Sequence, residues 1–461
     1  MAVREHRPAF PHLSRLMERE LERFRAEHPR SLELAERAKA SLLGGVPMHW
    51  MVRWAGGFPI FAQEAHGSRF SDVDGIEYVD FCLGDTGAMT GHSPEPVVRA
   101  ISEQAGRGIT LMLPSEDAIW VGNELQRRFG LRFWQFALTA TDANRFAIRI
   151  ARAVTGRPKI LVFNWCYHGT VDETVVTLVD GEVRPREGSV GPPVDPAETT
   201  RVAEFNDLDG LERELAHGDV ACVLAEPALT NVGIVLPVAG FHDELRELTR
   251  RYGTLLVIDE THTICAGPGG YTGAYDLDPD LLTIGKPIGS GIPAAAYGLS
   301  EDVARTLQEG IPEELSDVGG LGGTLAANVL SLTAMRATLS EVLTDEAFTH
   351  MIAMGKRFEE GVAGVIEGHG LPWHVVRLGC RAEYLFHPGP ARTGAEAAAA
   401  GDPELDRFMH LYALNRGILM TPFHNMALMS PATTAEDVDK HTAVLEEAAG
   451  ELMAGARPDA A

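Results

Sequence analysis

Cysteine is scarce in this chain, and its few cysteines show no recognisable pairing. The 461 residues contain five of them, and no two have the Cys-x-x-Cys spacing of a zinc ribbon or a redox pair. The sequence therefore predicts no metal centre and no disulfide framework, and it favours a reducing, cytoplasmic setting. The five are Cys82, Cys166, Cys222, Cys265 and Cys380.

Long apolar runs and blocks of basic residues are also lacking. No window approaches the roughly eighteen apolar residues that a membrane helix needs, and the N-terminus has no apolar leader segment. Lysine and arginine total 40 against 65 acidic residues, giving a formal net charge of -25. Because phosphate binding needs clustered cations, we expect neither a nucleic-acid nor a membrane partner.

The N-terminal part reads as a helix followed by a small antiparallel unit. Charged and apolar residues alternate at helical spacing over 11–43, which predicts one amphipathic helix before the Gly-Gly-Val-Pro break at 44–47. Residues 59–81 predict a hairpin with an Asp-Gly turn. A calcium loop is the alternative for Asp72 and Asp74, but the remaining ligands of a twelve-residue loop do not follow.

Strand-like and helix-like segments alternate from about residue 95 to 335. Strand-like examples are FWQFALTA, KILVFNWCY, VACVLAEPAL and TLLVIDE, and helix-like examples are DANRFAIRIARAVTG and GFHDELRELTRRYG. Such alternation predicts an α/β fold with a mostly parallel sheet covered by helices. After about residue 340 a long helical stretch, short strands and a closing helix predict a smaller α+β domain.

Two apolar strands end on residues that can take part in catalysis. Residues 255–290 contain LLVIDE, which ends in acid, and LLTIGK, which ends in a lone lysine. Because parallel strands open their carboxyl ends onto one crevice, we expect Asp259 and Lys286 to project into the same site. A lysine there can attack a carbonyl, and a buried aspartate suits a permanent cationic partner.

Pyridoxal phosphate supplies both partners, since it carries an aldehyde for the lysine and a pyridine nitrogen for the aspartate. Its phosphate needs a cradle, and the strand-to-helix junction at Thr139, Ala140 and Thr141 offers small residues at a helix N-terminus. An ordinary threonine N-cap is the alternative at that junction.

An ordered series of stretches resembles one known family. The stretches are GGFPIFAQEAHGSRFSDVDGIEYVDF, FALTATDAN, CYHG, AEPALTNVGIVLPVAGF, IDETHT, TIGKPIGSGIP and GGTLAAN. Together they resemble the class III, fold-type I pyridoxal-phosphate aminotransferases over roughly residues 40–450. Within that class the chain is most similar to the branch of glutamate-1-semialdehyde aminomutase and some β-amino-acid and amine transaminases.

The resemblance implies a role for each matching residue. Lys286 would form the Schiff base and move protons, Asp259 would hold the pyridine nitrogen protonated, and Tyr167 would stack on the ring. The other implied cofactor contacts are Thr139, Ala140 and Thr141 at the phosphate, His262 near the phenolic oxygen, Glu226 in the site wall, and Thr324 reaching the phosphate from a neighbouring subunit.

The chain departs from the family pattern in two places. The phosphate loop reads Thr-Ala-Thr-Asp where Ser-Gly-Thr-Glu is usual, and we still expect the cofactor to bind. On the substrate side PMHWMVRW and GDTGAM replace the aminomutase stretches, so the aminomutase arginine has no clear counterpart. The substrate-pocket candidates are His49, Trp50, Arg53, Trp54 and Asp85, with core packing an equal alternative for the tryptophans.

The resemblance also implies an architecture and an activity. We expect a large domain with a mostly parallel seven-stranded sheet over 66–335, flanked by a segment at 1–65 and a small domain at 336–461. The expected activity moves an amino group from an amine or amino acid to a carbonyl acceptor, in a homodimer with shared sites. The alternatives are a 1,2-aminomutase and a non-catalytic relative that only binds the cofactor.

Overall fold

The computed structural model describes residues 10–191, 194–310 and 320–454. Its helices are α1 Leu13–Glu27, α2 Pro29–Ala38, α3 Glu95–Ala105, α4 Glu116–Phe129, α5 Ala140–Thr155, α6 Leu208–Leu215, α7 Phe241–Arg251, α8 Gly270–Ala274, α9 Glu301–Gly310, α10 Val329–Ala337, α11 Asp345–His369, α12 Gly394–Ala399, α13 Pro403–Leu414 and α14 Ala435–Ala454.

The strands are β1 Ala62–His66, β2 Arg69–Asp72, β3 Glu77–Asp80, β4 Phe133–Ala137, β5 Lys159–Phe163, β6 Val176–Val179, β7 Glu182–Pro185, β8 Thr200–Ala203, β9 Val220–Ala225, β10 Leu255–Asp259, β11 Leu281–Ile284, β12 Ala295–Leu299, β13 His374–Leu378, β14 Arg381–Leu385, β15 Ile418–Leu419 and β16 Met426–Leu428. Within the described residues, no helix is both long and apolar enough to cross a bilayer.

A seven-stranded sheet forms the centre of the fold, in the order β4-β12-β11-β10-β9-β5-β8. Neighbours from β11 to β8 run parallel, whereas β12 lies antiparallel to both β11 and β4. The predicted α/β fold with a mostly parallel seven-stranded sheet is therefore confirmed. Every residue of β9 and of β11 is buried, which explains why these strands read as continuous apolar runs.

Helix α5 covers one face of this sheet and packs against β9, β11 and β12. Its buried face carries Ala143, Ala147 and Ala151, whose small side chains let the helix approach the strands closely. The same face carries one buried amide, Asn144. This close approach brings the first turn of α5 to the carboxyl ends of β10 and β11.

Two smaller sheets join segments that are distant in sequence. Strands β1, β2 and β3 form an antiparallel unit, and β15 adds to it in parallel with β3. Strands β13, β14 and β16 form the other sheet, on which α11 packs. The expected α+β character of the C-terminal part is present, and the exact domain boundaries remain a prediction.

The Asp-Gly turn between β2 and β3 lies where the sequence predicts it, with Gly75 at a φ of 83°. Its Asp74 carboxylate accepts hydrogen bonds from the backbone N–H groups of Arg30 and Ser31, at 2.7 and 3.0 Å. These are free donors in the first turn of α2, so Asp74 caps a helix. That contact explains the acidic residue in the turn without a calcium ion.

The single helix predicted over 11–43 is wrong, because the structure has two. Helix α1 ends at Glu27 and α2 begins at Pro29, with His28 donating its backbone N–H to Phe24 O at 3.1 Å. Proline lacks the N–H that a continuous helix would need and is tolerated at a first helical position. Pro29 therefore starts a new helix.

Candidate active site

A cavity of about 350 Å³ opens at the carboxyl edge of the seven-stranded sheet. Asp259 is the last residue of β10, and Lys286 follows the adjacent parallel strand β11 by two residues. Both side chains line this cavity, as the strand pattern predicts. Its other lining residues are Gly87, Leu138, Thr139, Ala140, Thr141, Tyr167, Gly169, Thr261, His262, Gly291, Ile292, Pro293 and Ala294.

The Lys286 amine is held between an acid and an imidazole. Its Nζ lies 2.9 Å from Asp85 Oδ2 and 2.9 Å from His262 Nε2. The backbone of Lys286 is left-handed, with a φ of 50°, a conformation that costs a non-glycine residue roughly 1–3 kcal/mol. The fold thus holds the amine in a defined position at a local conformational cost.

Asp85 lies on a loop whose backbone is left-handed over several residues. Leu83, Asp85 and Thr86 have φ values of 44°, 49° and 82°. The loop is anchored because Leu83 N donates to Asp80 Oδ1 at 2.8 Å. Burial opposes ionisation of Asp85, but the charge of Lys286, with a further contribution from Arg381, outweighs it and lowers the pKa of its carboxyl. Asp85 therefore acts as an anionic partner of Lys286 in this geometry.

Asp259 is fixed by three hydrogen-bond donors. Its Oδ2 accepts from Asn144 Nδ2 at 2.8 Å and from His168 Nδ1 at 2.9 Å, and its Oδ1 accepts from Thr261 N at 3.1 Å. Asn144 is itself held by the Thr283 hydroxyl, which donates to its Oδ1 at 2.6 Å. The carboxylate cannot turn without breaking this network.

The electrostatics of Asp259 keep it charged although it is buried. Burial would raise its pKa, but the hydrogen bond and the charge of His168 outweigh that effect and lower the pKa to about 2. Conversely, burial would lower the pKa of His168, whereas Cys166 and Asp259 raise it well above its ordinary value. A permanent anion therefore faces the cavity, as a cationic ligand group requires.

The first turn of α5 closes one end of the cavity. Thr139 is the N-cap: its Oγ1 accepts from Asp142 N at 3.2 Å and donates to the Asp142 carboxylate at 2.9 Å. Thr141 Oγ1 accepts from Thr170 N at 3.1 Å. A side chain on Gly169 would collide with Thr141 Oγ1, so only glycine fits there. The threonine N-cap is therefore present and the junction also lines the cavity, while its contact with a phosphate remains a prediction.

Tyr167 and Glu226 lie at the ends of β5 and β9. The Tyr167 ring lines the cavity, and its backbone N–H donates to Glu226 Oε1 at 3.1 Å. Glu226 also accepts from the Thr230 hydroxyl at 2.5 Å, and burial raises its pKa. Glu226 does not line the cavity. Its observed contact is the support of the Tyr167 backbone.

The other predicted residues lie elsewhere in the single chain. Thr324 is exposed and lines a different cavity, with residues 110–114. His49 and Arg53 bound a 3-10 turn in which Trp50 meets Trp54 and Phe423, at ring centroid distances of 6.3 and 5.7 Å. None of these residues lines the cavity of Lys286, and their roles remain predictions.

Three further polar residues contact this site, although the sequence does not predict them there. They are Asn144 and His168, which hold Asp259, and Arg381, whose guanidinium donates to His262 Nδ1 at 3.0 Å. Asn144 carried a signal, because it is a polar residue on the alanine-rich face of an amphipathic helix. No feature of the sequence predicts Arg381 at this site, because it lies 119 positions from His262 in the chain.

The cavity fits pyridoxal phosphate on the chemistry of its lining. An amine and a buried, ionised carboxylate line the same space, and a capped helix N-terminus with small residues closes one end. Tyr167 adds an aromatic ring to the same lining. The residues present therefore suit an aldehyde, a protonated ring nitrogen and a phosphate in one ligand.

Comparison with known proteins agrees with this chemistry. Residues 51–448 match the family model described as aminotransferase class-III. The chain belongs to the class-III aminotransferase family. Among curated proteins it is 33% identical to a glutamate-1-semialdehyde 2,1-aminomutase of Persephonella marina, over 92% of this chain and 99% of that one. The family resemblance drawn from the sequence is thus confirmed.

Solved structures of family members share the fold. A glutamate-1-semialdehyde-aminomutase from Pseudomonas aeruginosa superposes with a TM-score of 0.94 at 51% identity, covering 96% of this chain and 99% of that one. A β-phenylalanine aminotransferase from Variovorax paradoxus gives a TM-score of 0.86 at 26% identity, covering 96% and 98%. The fold is therefore fold-type I of the pyridoxal-phosphate enzymes.

The cofactor follows from family and site together. A lysine-to-alanine variant of the Pseudomonas aeruginosa protein, 50% identical, was solved in complex with PMP. The cofactor of this class-III family member is pyridoxal phosphate, and Lys286, Asp259 and the first turn of α5 are the residues that would hold it.

Proposed function

We propose that this protein is an aminotransferase, which takes an amino group from an amine or amino acid and gives it to a 2-oxo acid or another carbonyl acceptor. The observation that carries the proposal is the placement of the Lys286 amine, 2.9 Å from both Asp85 and His262, in the cavity that Asp259 also lines. When bound, pyridoxal phosphate supplies an aldehyde that carries the amino group and a ring that draws electrons from the substrate carbon.

The chain's own residues supply the proton transfer, the fixed charge and the positioning of the amine. Lys286 Nζ takes a proton from the substrate carbon and returns it at the other end of the transfer. Asp259 acts as a fixed anion rather than a base, because three donors hold it and its pKa of about 2 keeps it ionised. Asp85 holds the amine between proton transfers.

A 1,2-aminomutase is the second candidate, and the relatives favour it. Glutamate-1-semialdehyde aminomutase is the name of the curated relatives at 31–35% identity and of a structure at 51% identity. The altered segment 47–54 argues against it, since the aminomutase arginine has no clear counterpart there. Both functions use Lys286 and Asp259 in the same way, so a kinetic test must separate them.

The test is product stoichiometry without an acceptor. Purified holoenzyme is mixed with amines, α-amino acids, β-amino acids and glutamate 1-semialdehyde, and absorbance and product are followed together. An aminotransferase converts one equivalent of cofactor per site to its amine form and stops, and a 2-oxo acid restores turnover. Sustained turnover with no acceptor would establish the aminomutase, and no spectral change with any donor would favour a relative that only binds the cofactor.

We also propose a homodimer that shares its active sites. In one chain Thr324 is exposed and lies beside exposed apolar side chains of residues 109–113, of which Met112 is 75% exposed. Such an apolar patch suits burial against a second copy. Light scattering of the holoenzyme should give twice the chain mass, and Thr324→Val should weaken cofactor binding without changing that mass. A fully active monomer would contradict the dimer.

A further inference from the structure

Arg381 approaches the active site from the small sheet. It is the first residue of β14 and is 1% exposed. Its Nη1 lies 3.0 Å from His262 Nδ1, and its Nη2 donates to Thr230 O at 3.3 Å. Arg381 does not line the cavity, and among the described residues His262 is the lining residue to which it is hydrogen-bonded.

The chemistry of this contact decides the state of the imidazole. A guanidinium has five N–H donors and no acceptor, so a bond to His262 Nδ1 requires that nitrogen to carry a lone pair. A neutral imidazole then carries its proton on Nε2. Thr86, whose hydroxyl lies 3.0 Å from Nδ1, must then donate to the same nitrogen, since an unprotonated Nδ1 has no hydrogen to give.

We propose that Arg381 is a positioning residue that holds His262 as its Nε2–H tautomer, so that His262 donates a hydrogen bond to the reactive nitrogen of Lys286. The 2.9 Å distance between His262 Nε2 and Lys286 Nζ is the length of such a bond. As the unprotonated amine that the proposed reaction needs, the Lys286 nitrogen then accepts from His262 on one side and donates to Asp85 on the other; an ammonium would have no lone pair for the first of these bonds. Its lone pair has a fixed direction.

The charges around His262 keep it neutral. Arg381, on β14, is a permanent cation in contact with the ring, and Lys286, on the turn after β11, is a second one whenever it is protonated, while Asp85 and Asp259 are anions on the loop after β3 and on β10. Burial and the Lys286 charge, with a further contribution from Arg381, lower the pKa of His262 well below its ordinary value. Without Arg381 one of these opposing cations is gone, so the pKa rises.

The tautomer can be read directly by solid-state ¹⁵N NMR of holoenzyme labelled at histidine. The signals that disappear in His262→Gln belong to His262. We expect a protonated Nε2 and an unprotonated Nδ1 in the wild type. A proton on Nδ1 would overturn the proposal, because Arg381 could not then be bonded to that nitrogen.

The second readout is a pH titration of the visible absorbance of the resting holoenzyme. Arg381→Met should raise the pKa of His262 and add a spectral step below the ordinary histidine range of about pH 6–7, because burial still opposes protonation of the ring. The step should be absent from the wild type and from the double variant Arg381→Met/His262→Gln, whose amide does not titrate. If Arg381→Met fails to fold, Arg381→Gln keeps a polar group there and should add the same step.

Two results of the titration would contradict the proposal. One is an unchanged pH profile in both Arg381 variants, and the other is a new step that persists in the double variant. Neither readout needs a substrate. The role of Arg381 can therefore fail while the aminotransferase proposal stands, and the reverse is equally distinguishable.

Discussion

Replacement of Lys286 by alanine should lower kcat by roughly 10⁴-fold or more, because a positioned proton-transfer group alone contributes up to about 10⁴-fold and the covalent attachment of the cofactor is lost as well. The variant should still fold, since Lys286 lies on a turn and its side chain is 28% exposed. Steady-state kinetics with the donor identified in the stoichiometry test would measure the loss.

A chemical readout separates loss of the amine from loss of the fold. Borohydride should fix the cofactor covalently to the wild type, as mass spectrometry would show, and should fail to fix it to Lys286→Ala. Lys356→Ala is the matched control, because Lys356 is an exposed lysine on α11 whose ion pair within the described part of the chain is with exposed Glu360, at 3.6 Å. Turnover of Lys286→Ala within tenfold of the wild type would refute the role given to this amine.

Replacement of Asp259 by asparagine should cause the second large loss of catalytic rate. Removing one charge of a buried ion pair costs about 2–5 kcal/mol, which corresponds to roughly 30- to 4,000-fold in rate if the charge acts in the transition state. Asparagine keeps the size of the side chain, so the effect isolates the charge. We expect kcat to fall within this range while cofactor is retained, because Lys286 still anchors it.

The control for Asp259→Asn is Asp439→Asn, which removes an exposed carboxylate that pairs with Arg357. Thermal unfolding should be measured for both variants, since Asp259→Asn also leaves His168 without its ionic partner. Asp259→Ala should reduce the rate as heavily and still keep some cofactor. An asparagine variant with wild-type kcat would mean that the carboxylate serves only to hold Asn144 and His168.

The central sheet could be predicted because its signals are local. Strands β9, β10 and β11 are continuous apolar runs, and the rule that parallel strands open at one edge brings Asp259 and Lys286 together before any coordinates are known. Periodicity failed at the N-terminus, where it runs smoothly across His28 although Pro29 must begin a new helix. One proline therefore divides a segment of some thirty residues that periodicity predicts as a single helix.

The surroundings of the reactive groups could not be predicted, because they depend on contacts between distant segments. The sequence predicts Asp85 only as a substrate-pocket residue in a stretch that differs from the family pattern. In the structure it contacts Lys286, which is 201 positions away in the sequence. Arg381 reaches His262 from a different sheet. Trp50 and Trp54 are predicted as substrate-pocket residues, and in the structure Trp50 meets Trp54 at a tilt and Phe423 edge-on. Residue type alone does not say which of these contacts forms.

The parallel pairing of β15 with β3 has a consequence for synthesis on the ribosome. Val79 finds its strand partner Ile418 only after about 340 further residues have been made, which takes roughly 17–70 s at about 5–20 residues per second. Helix α1 lacks its packing partner for at least as long, because it packs on α13 and its Glu20 carboxylate accepts a hydrogen bond from Asn415. While the central sheet emerges, β3 and α1 therefore lack these C-terminal partners, although β1, β2 and β3 can already pair with one another. The nascent chain completes its fold by bringing its two ends together last.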